Sequence, residues 1–163
     1  VVFEDTFDWI KNTGDWANKQ DNGGKWTIDS RVYAKYYCLQ FGTGSIEAGI
    51  TSRTLTELGA TPTNISVEMQ LTGNAENKKS AFFEIIGAGS FSATESQTET
   101  TVQLSGFIPD ATLKTTTGEG FEGWETKTLT VYGADQTTQI RLACVKVDGV
   151  TQQFWLNSFR ITK

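Results

Sequence analysis

Apolar and polar residues alternate with a period of two along several stretches of this chain. Strands turn successive side chains to opposite faces, so each stretch predicts a half-buried β-strand. The clearest runs from Asn64 to Leu71, where Ile65, Val67, Met69 and Leu71 point one way and Ser66, Glu68 and Gln70 the other, with Glu68 expected in solvent. Ser80 to Ile86 is apolar on both faces, as a central strand would be. The last third reads as an antiparallel meander. Trp124, Lys127, Leu129 and Val131 carry one run, Ile140, Leu142, Cys144, Val145 and Val147 the next, and Phe154, Trp155, Leu156, Phe159 and Ile161 the last. Turn signals separate these runs at Gly133-Ala134-Asp135 and Asp148-Gly149. Asp-Gly between β-branched segments predicts a tight hairpin, because both central residues of the favoured turn need positive φ.

The first half is less regular. Val1 to Phe7 predicts a first strand, followed by a loop from Asp8 to Gly24 that is rich in Asn, Asp, Gly and Lys. Further strands are predicted over Lys25–Ile28, Arg31–Phe41 and Ile46–Ser52, with Thr54 to Ala60 a helical turn or a loop. Thr101–Leu104 and Ala111–Thr115 are short strands, and Gly118 to Gly123 is a second flexible loop just before Trp124. About ten short strands with regularly spaced turn signals predict an all-β, antiparallel two-sheet sandwich or a barrel.

Composition agrees: Thr is abundant, Gly numbers 16, Pro only 2, and aromatic residues make up 12%. The 163 residues fit one domain with a substantial core. A net charge of −5 argues against nucleic acid or an anionic membrane as partner, since both require clustered Lys and Arg; the longest basic cluster is Lys78-Lys79, in a polar turn. No stretch has the roughly 20 apolar residues of a membrane span. The start at Val1, without Met, is compatible with a processed, secreted product. Cys38 and Cys144 lie in strand-like runs, either as small buried hydrophobes or as a disulfide, for which their Cα atoms must approach within about 7 Å.

Histidine is absent, which removes Ser-His-Asp and Cys-His arrangements, most zinc sites and the usual general base. No nucleophile elbow or phosphate-binding Gly-Lys-Ser/Thr motif occurs. A carboxylate pair remains as a route to a glycosidase or lyase, with Glu68, Glu84, Glu122 and Glu125 as candidates. The expectation is nevertheless a protein that is not an enzyme. Aromatic side chains are the better lead, because a Trp or Tyr face packs on the C–H face of a pyranose while amides bond its hydroxyls. Trp9 and Trp16 in the long loop, Tyr36 on a strand and Trp124 after Gly118–Gly123 are candidate platforms, with Asn18 and Asn22 as amide partners. Among these Trp16 is the leading candidate; Trp26, Tyr37, Phe83 and Phe154 are assigned to the core.

The opening Phe3-Glu4-Asp5-Thr6-Phe7-Asp8-Trp9, the Gly44-Ser45-Ile46 step, Phe82 to Gly89 and the closing Phe154 to Ile161 together resemble the galactose-binding-like jelly-roll modules of secreted and surface proteins of Bacteroidetes. The resemblance covers most of the chain and implies a jelly roll rather than a barrel. It also implies a non-catalytic carbohydrate-binding module, one part of a larger secreted, periplasmic or cell-surface protein. An adhesion or protein-interaction module of the same fold is the alternative. Such modules often hold a structural calcium. Carried over by position, Asp5 and Asn157 would ligate it, although Asn157-Ser158 stands where the family commonly has two Asp, which weakens the site.

Overall fold

The computed structural model describes residues 1–35, 38–43, 46–73, 80–91, 101–105, 125–147, 149–151 and 153–163. These form strands β1 (Phe3–Asp5), β2 (Asp15–Trp16), β3 (Trp26–Ile28), β4 (Tyr33–Lys35), β5 (Cys38–Phe41), β6 (Ala48–Ser52) and β7 (Thr63–Gly73). They continue with β8 (Ser80–Ile86), β9 (Thr101–Ser105), β10 (Glu125–Ala134), β11 (Gln139–Cys144), β12 (Lys146–Val147), β13 (Val150–Thr151) and β14 (Phe154–Thr162). The 3₁₀ turns Ala17–Lys19 and Thr56–Leu58 lie between them.

A seven-stranded sheet runs β10-β7-β14-β5-β4-β2 with β1 also on β14, and a five-stranded sheet runs β3-β6-β11-β8-β9. Consecutive strands cross between layers: β5 in the first, β6 in the second, β7 in the first, β8 and β9 in the second, β10, β11 and β14 alternating again. That interleaving, 10-7-14-5 against 6-11-8-9, is the double-sheet jelly roll. The whole is thus the expected antiparallel sandwich. Strand β14 is its axis: one edge pairs with β7, and the other with β5 over Phe154–Leu156 and then with β1 over Phe159–Ile161.

The core follows from the alternation. Ile65, Val67, Met69 and Leu71 of β7 are buried and Glu68 is exposed, as expected. Phe159 of β14 stacks on Phe83 of β8 across the layers (6.4 Å, 13°), and Phe41 stacks on Phe154 within the first sheet (4.4 Å, 11°). Each such side chain contributes roughly 1.5–3 kcal/mol by leaving water. β12 pairs with β13, Val147 opposite Val150, and Gly149 sits at φ 78°, a conformation that glycine favours.

Two expectations change, and the cysteine alternative is resolved. Arg31–Phe41 is a hairpin rather than one strand, because β4 and β5 pair with Lys35 opposite Cys38. Val32 and Ala34 are buried before that reversal and Cys38, Leu39 and Phe41 after it, which is why both faces of the segment read as covered. The loop after β1 is not structureless, since β2 pairs with β4 and the 3₁₀ turn follows. Cys38 and Cys144 are both buried and free, so they act as small hydrophobes. Burial pushes the Cys38 thiol up to about 12. Ala111–Thr115, Gly118–Gly123 and Lys78-Lys79 lie outside the described residues.

Candidate functional site

The loop from Thr6 to Lys25 is organised by one carboxylate. In β1 the alternation is in–out–in, so Asp5 points inward beside Phe3 and is only 1% exposed. A buried carboxylate must be satisfied. Its Oδ1 accepts the Phe7 amide (2.7 Å) and its Oδ2 accepts two indole N–H groups, from Trp9 (2.8 Å) and Trp26 (2.5 Å). The Lys25 ammonium stands 3.8 Å from Oδ1. Bonding to the amide two residues on turns the chain sharply and holds Phe7 in the left-handed region (φ 61°). The Phe7 ring then packs against Trp26 (6.5 Å, 19°) and edge-on against Trp9 (6.1 Å, 67°).

Trp9 is thereby fixed by its N–H and by its inner edge, half-buried against the core, and its remaining surface lines an open cleft of about 570 Å³. Lys11, Asn12, Lys19, Gln20, Asp21 and Gly23 complete the lining. Gln20 shapes this wall: its Oε1 accepts the amides of Lys11 (2.8 Å) and Asn12 (3.1 Å), and its Nε2 donates to the Asn12 carbonyl (2.9 Å). A smaller recess of about 260 Å³ shares Trp9 and Gly23 with this cleft and is lined also by Asp8, Asn22 and Lys25. Lys19 pairs with Asp15 (3.3 Å), whose carboxyl is held below its ordinary value by the Trp16 amide and by Lys19.

The structure separates the candidate residues. Trp9 lines the cleft. Trp16, the leading candidate, is absent from that lining and instead meets Tyr33 edge-on (5.1 Å, 67°) on the outer side of the β2–β4 edge. Asn18 is exposed on the 3₁₀ turn. Asn22 bonds the Trp26 backbone through both its oxygen and its nitrogen (3.0 Å each), so it pins the entry to β3 and borders the smaller recess. Tyr36 and Trp124 lie outside the described residues. Glu68 and Glu84 project outward from different sheets and form no pair; Glu122 lies outside the described residues. Lys11 and Lys19 enter the cleft without having been singled out, since isolated lysines in a polar loop carry no distinguishing signal.

Asp5 and Asn157 are not brought together either. Asp5 faces the core, whereas Asn157, at the bulge of β14, bonds Gln70 (3.2 Å) on the outward face of β7. The groups around the Asp5 carboxylate are N–H donors and an ammonium, the opposite of the oxygen shell calcium requires. These residues do not fit that ion.

No protein-family model and no curated protein sequence matches the chain. Among solved structures it is similar to the CBM22-1 xylan-binding domain from Paenibacillus barcinonensis Xyn10C, with TM-score 0.45 and 11% identity over 98% of this chain and 92% of that one. The K1 cleaved adhesin domain of Lys-gingipain from Porphyromonas gingivalis W83 is similar with TM-score 0.47 and 16% identity over 98% and 96%. The CBM35 from Paenibacillus barcinonensis gives 0.37 and 10% over 85% and 89%.

Proposed function

We propose that this chain is a non-catalytic carbohydrate-binding module of a secreted or cell-surface protein, and that it takes a short stretch of glycan in the Trp9 cleft. The observation that carries the reading is the state of Trp9: its N–H is committed to Asp5 and its inner edge to Phe7, so the surface left over is apolar, rigid and set among amides and charged groups. A ring held in that way loses little entropy on stacking with a sugar, and a cleft of about 570 Å³ lies within the ordinary range of small-ligand sites. Asn12, Lys11, Lys19 and Asp21 supply donors and acceptors for hydroxyls around it.

A glycan array followed by calorimetry tests this. Trp9→Ala should weaken the best array ligand by about 1–3 kcal/mol, as truncation of a central aromatic does. Trp9→Phe keeps an aromatic surface but lacks the N–H, and should retain most binding while lowering stability. Absence of any bound glycan, or unchanged affinity in Trp9→Ala, would refute the reading.

A further inference from the structure

The β2–β4–β5 edge carries a second, differently built surface. Along Arg31 to Lys35 the side chains alternate: Val32 and Ala34 are buried while Arg31, Tyr33 and Lys35 stay accessible on the outer face. Sheet register sets Trp16, Tyr33 and Gln40 side by side across three adjacent strands, about 4.8 Å apart, close to the spacing of successive pyranose rings. The row continues to Trp155, which is buried, so its accessible part ends at Gln40.

Two cations cover these rings. The Arg31 guanidinium lies 5.2 Å from the Trp16 ring centre and the Lys35 ammonium 4.7 Å from that of Tyr33. Lys19, Lys25, Arg53, Arg141 and Arg160 each have a carboxylate within 4.0 Å, whereas Arg31 and Lys35, like Lys11 and Lys146, have none among the described residues. Asp15, the acid next to Trp16, is already taken by the Trp16 amide and Lys19. Arg31 moreover sits in the left-handed region (φ 81°), a conformation that costs a non-glycine residue free energy. Resting over a ring, each cation keeps its hydrogen-bond donors for an anion, and the two stand together on one edge of a chain whose net charge is −5.

We infer that Trp16, Arg31, Tyr33, Lys35 and Gln40 form a second glycan site, separate from the Trp9 cleft, which takes an acidic polysaccharide: the rings and the amide meet the sugar, and the two cations meet its carboxylates or sulfates. Spaced two residues either side of Tyr33, the cations match repeated charges rather than a single one. Affinity electrophoresis and calorimetry with polygalacturonate, dextran sulfate and uncharged dextran test this and distinguish carboxylate from sulfate. Wild type should bind at least one anionic polymer, more weakly as salt rises. Arg31→Gln/Lys35→Gln should lower that affinity about tenfold with the melting temperature nearly unchanged, and Arg31→Lys/Lys35→Arg should restore it. Lys35→Gln alone should give a smaller loss in the same direction, and serves if the double variant fails to fold. Trp9→Ala should leave the anionic polymers bound while weakening the array ligand, so either site can fail without the other. No anionic polymer bound by wild type, equal binding by the charge variants, or equal capture of a single-stranded oligonucleotide through the same two cations would overturn the inference.

Discussion

Asp5→Asn is the most direct probe of how the site is built. The substitution keeps the size of the side chain but replaces one acceptor oxygen by a donor and removes the charge. With the amide oxygen facing the indoles of Trp9 and Trp26, the new NH₂ group faces the Phe7 amide and the Lys25 ammonium, so the Phe7 donor loses its acceptor. An orphaned buried donor costs about 1–3 kcal/mol. The two indole bonds also fall from charge-assisted to neutral strength, roughly half. The turn that holds Phe7 at φ 61° loses its tie as well. Together these give a loss of roughly 3 kcal/mol, or about 6–12 °C in melting temperature for a domain of this size. Urea unfolding followed by tryptophan fluorescence measures it directly. In a cycle with Trp26→Phe, which removes one of the donors, the two losses should couple by about 1 kcal/mol or more. A change in Asp5→Asn within about 0.5 kcal/mol of zero, or strict additivity with Trp26→Phe, would refute the view that this carboxylate organises the loop.

Three further outcomes are expected. Calcium at millimolar concentration should leave the melting temperature of chelator-treated protein unchanged, because Asp5 is ringed by donors and Asn157 faces the other side of the sheet; a rise of several degrees would contradict this. Gly49→Ala should destabilise by about 1–3 kcal/mol in thermal melts, since the added Cβ would lie 2.6 Å from both the Ala143 Cβ and the Leu142 carbonyl oxygen. The Cys38 thiol, raised by burial to about 12 from 9.0, should resist thiol reagents at pH 8 until the chain unfolds. The unfolded chain gives up that proton first as pH rises, so the contribution of Cys38 to stability is full below about pH 9 and is lost towards pH 12.

How far the sequence carried depended on whether physics was local. Strand β7 and the β12–β13 pairing were legible because alternation and turn signals act within a few residues. The β4–β5 reversal was not, since Lys35-Tyr36-Tyr37-Cys38 contains none of the usual turn residues and the alternation reads on through it. Trp9 and Trp16 look equivalent in sequence; what separates them is that Trp16 pairs with Tyr33 across β2–β4 while Trp9 reaches Asp5. The resemblance implied a metal role for Asp5, yet its partner Trp26 lies 21 residues away, on a strand that pairs with β6. Arg31 and Lys35 stood out only when alternation along β4 was known.

The position of β14 has a consequence for the order of folding. This strand lies between β7 on one side and β5 with β1 on the other, so the pairing of Phe3 with Ile161 closes a loop that takes in every other strand of the two sheets. Contacts of such sequence separation form late and slowly, because the entropy of closure must be overcome before they contribute. During synthesis β1 would wait for β14 to emerge, with Asp5 and the cleft behind it unformed. The Trp9 cleft is therefore completed only when a strand more than a hundred residues downstream has joined, and a mutation in Phe159 or Ile161 should delay its formation even where the finished fold tolerates it.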